Sequence, residues 1–203
     1  MEIRELPVIR QSVFSLKLEN IDNVALVKEL ESYYSNINAS SGSSDMRFPQ
    51  AGEQSSKLQT AINSGVNLVA GKEMECREFW MFSLTDGGAV PLHNHWTNYQ
   101  MHPEEYYSVA YYPAIPYGAA KIHFVATYCR MMKHVLTVEP SAGMLLIFNS
   151  YLDHYTDRNS TTEKRTCISA NYRPVSPDKS LVSDWTSFAL PHAAQDDRFS
   201  KFS

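Results

Sequence analysis

The chain is poor in cysteine, carries no excess of positive charge and has no long apolar run. Its 203 residues include only Cys76, Cys129 and Cys167, too few and too scattered for a disulfide framework or a paired-cysteine metal knot. Reduced thiols and a cytoplasmic location are the expectation. The sequons at Asn38 and Asn159 then read as chance matches. Eighteen Lys and Arg against 22 Asp and Glu leave a net charge of -4, so the electrostatic footprint of a nucleic-acid binder is missing. No stretch of about 18 apolar residues occurs, which argues against a membrane span. The opening "MEIRELPVIRQ" lacks the apolar centre of a signal peptide. No internal repeat is visible. What the chain does have is twelve Tyr and nine Phe, residues that favour strands. An apolar share of 43% is enough for a core in a chain whose length suits one domain.

Hydrophobic spacing divides the chain into a helical lead-in and a strand-rich remainder. "LPVIRQSVFSLKL" predicts a strand, at an edge because of Pro7. In "NIDNVALVKELESYYSN" the apolar residues Ile21, Val24, Leu26, Val27 and Leu30 recur at helical spacing, with Asn20 or Asp22 as the cap. Residues 35–57 are rich in Ser, Asn and Gly and are expected to be loop. A second helix is predicted through "SSKLQTAINSG", ending near Gly65. Both helices are expected to cover one side of a sheet. From residue 76 onward, "CREFWMFSLTD", "EYYSVAYYPAI", "AKIHFVATY", "MLLIFNS" and "RTCISANYR" read as short strands separated by turn signals. That pattern points to a sandwich or barrel.

Chemistry concentrates in the second half. In "VPLHNHWTNYQ", His93 and His95 stand at i and i+2, which on a strand puts both rings on one side. Two imidazoles so placed can converge on one ion at about 2.1 Å each; they could equally be a hydrogen-bonded surface pair. His154 follows "MLLIFNSYLD", where a polar ring at the end of an apolar strand sits at the mouth of a core. In "RTCISANY" one face reads Arg165, Cys167, Ser169 and Asn171, and the other Thr166, Ile168, Ala170 and Tyr172. If the first face looks inward, a buried guanidinium needs an anion, and a carboxylate matches its fork. In the opposite register Arg165 simply meets solvent.

Taken in order, "HNH", "YYSVAYYPAIP", "VEPSAGMLLIFNSYLDH" and "RTCISANY" resemble the Fe(II)/2-oxoglutarate-dependent oxygenases, in particular uncharacterised members from phages and marine bacteria. The resemblance spans about residues 76–174. It implies a mainly β fold, a double-stranded β-helix or jelly roll with buttressing N-terminal helices, as a single domain over 1–203. Within it, 1–75 is a strand and helical lead-in, 76–174 the metal-binding core and 175–203 a C-terminal extension. It further implies Fe(II) on His93, His95 and His154, with Arg165 gripping the far carboxylate of the co-substrate 2-oxoglutarate, helped by the Ser169 hydroxyl. The oxidised substrate is a small molecule or peptide that the sequence does not identify. His95 departs from the family pattern, because an Asp or Glu is usual there and completes a two-histidine, one-carboxylate triad. Glu104, Glu105 and Asp153 are the carboxylates near enough in sequence to substitute, although Asp153 should point away from the site if 153 and 154 are extended. Trp96, Tyr99 and Tyr111 are candidates for the substrate mouth. Two alternatives stay open: a cupin-like three-histidine metalloenzyme that does not use 2-oxoglutarate, and a non-catalytic jelly-roll binding or structural protein. The aromatic tail could support a homodimer.

Overall fold

Strands that are apolar on both faces can be stable only as the middle layer of a stack, and the fold is built around such strands. The computed structural model describes residues 11–36, 48–95, 105–129 and 132–175. Its elements are β1 (Val13–Lys17), α1 (Asn23–Asn36), α2 (Glu53–Ala70), β2 (Met74–Leu84), β3 (Tyr107–Ala114), β4 (Ile122–Cys129), β5 (Met132–Val138), β6 (Met144–Asn149), β7 (Asp153–Thr156) and β8 (Arg165–Pro174). A larger sheet has the order β1-β6-β3-β8-β2 and a smaller one β5-β4-β7, with antiparallel pairing throughout. The architecture is mainly β, a double-stranded β-helix with two helices against the larger sheet, as the resemblance implies.

Alternation along the central strands distributes side chains between two cores. Val109 and Tyr111 of β3, Leu145 and Ile147 of β6, and Ile168 and Ala170 of β8 pack with Leu26, Leu30, Leu58, Ile62 and Val66 of the helices. Their neighbours Ala110, Tyr112, Leu146, Phe148 and Cys167 face the other way, against Ile122 and Phe124 of the smaller sheet. Each fully buried Leu, Ile or Phe stabilises the fold by roughly 1.5–3 kcal/mol, so β6 is held from both sides.

Asp22 caps α1, its Oδ1 accepting from the backbone N–H of Val24 and Ala25 at 3.1 and 3.0 Å. Glu29 of that helix caps the next, accepting from Gln54 and Ser55 N–H at 3.1 and 2.8 Å. α2 therefore starts at Glu53, inside the predicted loop, and runs on through Gly65 to Ala70. Gly65 is a packing position and not a stop, since a Cβ there would sit 3.1 Å from Ile147 Cδ1. Gly143 precedes β6 with φ 80°, and a Cβ there would sit 2.9 Å from the Leu18 carbonyl oxygen, so a side chain would be both strained and obstructed. Within the predicted first strand, pairing starts only at Val13; residues 1–10 lie outside the described residues. β5 and β7 were not expected from the sequence. Among the described residues no helix is long and apolar enough to cross a membrane.

Candidate metal centre

Residues 93–95 do not form a strand. His93 instead makes an isolated antiparallel bridge to His154, with His93 N–H donating to His154 O at 3.0 Å and His154 N–H donating to His93 O at 2.8 Å. His95 N–H donates to Ser150 O at 2.8 Å. His154 likewise does not end the buried strand; after β6 the chain turns and His154 lies in β7. These backbone bonds place three rings from distant parts of the chain side by side.

Their ligand nitrogens all lie within 4.8 Å of one another, and among the described residues the cluster contains no carboxylate. Each ring has its other nitrogen engaged. His93 Nδ1 faces Pro91 O at 2.8 Å, His154 Nδ1 faces Leu152 O at 2.9 Å, and His95 Nδ1 faces Asn171 Oδ1 at 2.8 Å and Ser108 Oγ at 3.0 Å. A carbonyl oxygen can only accept, so Nδ1 carries a proton, and in the neutral ring Nε2 keeps its lone pair. The Nε2 atoms of His93 and His95 are 3.2 Å apart, which in neutral rings sets two lone pairs against each other. A cation between them removes that repulsion, and two bonds of about 2.1 Å at roughly a right angle span about 3 Å. The donor set thus fits a divalent metal, with the outer hydrogen bonds that orient metal-binding imidazoles already made.

Burial keeps the His95 and His154 rings uncharged. It pulls the His95 pKa down from 6.5 to about 4, with the charge of His93 acting in the same direction and the Asn171 hydrogen bond and Glu78 opposing. Burial also pulls His154 down from 6.5 to about 3, against the Leu152 carbonyl and aided by the two neighbouring rings. In the unfolded chain both titrate near 6.5, so on acidification that chain takes up protons the native state refuses. The metal-free protein is expected to lose melting temperature progressively as the pH falls from 6.5 toward 4. The loss should be shallower in His154→Gln; equal slopes in the two proteins would show that the ring is not held neutral by the fold.

Arg165 points inward. It is 1% exposed, its Nε donates to Ala120 O at 2.9 Å and its Cζ lies 5.0 Å from the Tyr112 ring centroid. Both terminal nitrogens, Nη1 and Nη2, have no hydrogen-bond partner among the described residues. A buried guanidinium with two idle donors is costly, a cost that an anion in the cavity would offset. Ser169 is buried on the same face, with its Oγ 3.6 Å from Cys167 Sγ. One cavity of about 300 Å³ is lined by all three histidines, Arg165, Ser169, Cys167, Tyr112, Trp80 and Phe82, among others. That volume is at the small end for ligand pockets and suits a short diacid. A larger open groove of about 730 Å³ beside α2, lined by Lys17, Glu53 and Lys57 among others, holds none of these groups.

The other expectations divide. Asp153 does turn away, accepting from Asn94 Nδ2 at 2.7 Å. Glu105 pairs with Lys72 instead of approaching the rings. Tyr111 faces the helices, its hydroxyl donating to Asn23 Oδ1 at 2.6 Å, and its neighbour Tyr112 takes the cavity position. Trp96, Tyr99 and Glu104 lie outside the described residues. Sequence reading assigned no role to Ser108, Asn171, Trp80 or Glu78. Asn171 shares a strand face with Arg165 and Ser169, and that alternation was the one signal pointing to it. Asn159 is 1% exposed and donates to Leu84 O at 3.2 Å, which makes it inaccessible to glycosylation.

Residues 78–171 match the family model described as "Putative 2OG-Fe(II) oxygenase". Solved structures of similar fold include the non-heme alpha-ketoglutarate-dependent carbocyclase SnoK from nogalamycin biosynthesis, at 11% identity and TM-score 0.62, covering 81% of this chain and 80% of that one. HygX from Streptomyces hygroscopicus, with nickel and 2-oxoglutarate bound, gives 13% identity and TM-score 0.60, covering 81% and 83%. A prolyl-4-hydroxylase from Pseudomonas putida gives 15% identity and TM-score 0.57, covering 82% and 94%. No curated protein sequence matches this chain.

Proposed function

We infer that this chain, an Fe(II)/2-oxoglutarate-dependent oxygenase by the family match of its central segment, holds the metal on Nε2 of His93, His95 and His154. Arg165 and Ser169 take the distal carboxylate of 2-oxoglutarate. The observation that carries this reading is the pair of idle Arg165 nitrogens in the same cavity as three convergent imidazoles. When bound, Fe(II) and 2-oxoglutarate supply the oxidation of a substrate C–H bond by dioxygen, coupled to decarboxylation of the co-substrate to succinate.

The chain's own residues bind, orient and shield. Arg165 offers two parallel N–H donors to a carboxylate, and the Tyr112 ring beneath it fixes the guanidinium plane. The carbonyls of Pro91 and Leu152 and the Asn171 amide engage the three Nδ1 atoms and leave the Nε2 atoms to the metal. Trp80 and Phe148 stand at ring-centroid distances of 5.4 and 5.0 Å from His95 and His154 and keep water from the sides of the site. The substrate is a small molecule or peptide, and the protein is read as a cytoplasmic, single-domain enzyme without a nucleic-acid partner, able to pair as a homodimer.

The competing metalloenzyme reading shares the histidines but gives Arg165 no partner. Anaerobic titration separates the two. Adding 2-oxoglutarate to the Fe(II)-loaded protein should produce the visible charge-transfer band of the chelate. A protein that binds Fe(II) and shows no band at saturating 2-oxoglutarate is not a 2-oxoglutarate enzyme.

A further inference from the structure

Three neutral imidazoles give a divalent ion no negative charge of their own, so before co-substrate binds, any compensation from the chain comes from beyond the ligands. Asp153 and Glu105 are turned to Asn94 and Lys72. Glu78 is placed differently, and a backbone irregularity puts it there. Met74 and Cys76 of β2 pack with the helix-side core, and so do Phe79 and Met81. The parity switches between them because Cys76 pairs with Tyr172 and Glu78 with Asn171, leaving Arg77 as an extra residue. Strict alternation from Cys76 would send Glu78 toward the helices. The bulge instead puts Glu78 on the cavity side with Trp80 and Phe82, a familiar use of bulges beside functional sites.

From there a continuous chain of hydrogen bonds reaches the metal ligands. Asn171 Nδ2 donates to Glu78 Oε2 at 2.5 Å. The other end of the same amide, Oδ1, accepts from His95 Nδ1 at 2.8 Å and from Ser108 Oγ at 2.7 Å. The three partners come from adjacent strands in register, since Glu78 and Ser108 both sit opposite Asn171. A carboxylate on its nitrogen side fixes the orientation of the amide and polarises its oxygen. It thereby strengthens the hold on the His95 proton and makes the opposite ring nitrogen a better donor to a metal.

We propose that Glu78, acting through Asn171, is a positioning residue of the metal centre: it aims Nε2 of His95 and supplies the negative charge that the three-histidine set lacks. This rests on the metal-centre reading above and goes beyond it. Outer partners of metal-bound histidines typically change affinity by 10- to 100-fold.

The test is Co(II) titration of the full-length metal-free protein, read by calorimetry and by the visible ligand-field band. Glu78→Gln keeps an acceptor for Asn171 Nδ2 and removes only the charge. It is expected to bind Co(II) about tenfold more weakly with its melting temperature unchanged, and Asn171→Ala should lose at least as much. If Glu78→Gln does not fold, Glu78→Ala tests charge and acceptor together, and wild-type Co(II) affinity there overturns the proposal. Wild-type affinity in Glu78→Gln overturns the proposal, whether or not Asn171→Ala is weakened. Wild-type protein that takes up no Co(II) overturns the metal-centre reading itself, and the proposal with it.

Discussion

His154→Ala is expected to bind divalent metal at least about a hundredfold more weakly than wild type, a larger loss than any outer partner produces. The ring is 6% exposed, its Nδ1 is tied to the Leu152 carbonyl and its ring centroid lies 4.3 and 5.0 Å from those of His93 and His95. Removing it leaves two donors from one short segment, and no described side chain stands ready to replace it. Calorimetric titration with Co(II) or Fe(II) under anaerobic conditions measures the effect. The metal-free variant should remain folded, because its backbone bridge to His93 does not use the side chain. Retention of wild-type affinity would remove His154 from the ligand set.

The second large effect is at Arg165, and it has opposite signs in binding and in stability. Arg165→Met keeps most of the side-chain volume and deletes the charge. Charge-assisted hydrogen bonds contribute about 1.5–3 kcal/mol each, so losing a bidentate pair should weaken 2-oxoglutarate binding by roughly two to four orders of magnitude. Metal affinity should change little. Without co-substrate, the wild-type guanidinium has two buried donors unpaired, and replacing a buried unpaired charge by an apolar group is neutral or stabilising. Thermal melting with and without 2-oxoglutarate reads both consequences in one experiment. The variant should melt no lower than wild type in the absence of co-substrate and show no upward shift when it is added. A variant that keeps the wild-type shift would show that Arg165 does not hold the co-substrate.

Much of this site could be read from local spacing. The alternation of "RTCISANY" puts Arg165, Ser169 and Asn171 on one face in any register, and only the choice of face needed the structure. The histidines could be read in order along the chain, although His93 and His95 come together through loop backbone bonded to residues 150 and 154, not through a strand. Long-range pairing was invisible. Arg77 looks like any strand residue until its neighbours pair with Tyr172 and Asn171. Gly65 reads as a helix end because local propensity weighs its flexibility and not the Ile147 side chain waiting across the interface. β7 is four residues long, too short for a pattern to establish itself. Tyr111 and Tyr112 carry the same chemistry, and only sheet pairing decides which one sees the cavity.

One strand limits how this scaffold could acquire new preferences. Every residue from Arg165 to Ala170 is buried, Ile168 and Ala170 against the helical layer and Arg165, Cys167 and Ser169 against the cavity, so no position in that run is free to drift. Recognition of a different substrate would therefore have to arise away from this strand, at positions packed against neither layer. A mutational library confined to β8 should yield mostly unfolded or inactive clones, whereas one in the connection after β2 that spares His93 and His95 should preserve a folded population to select from.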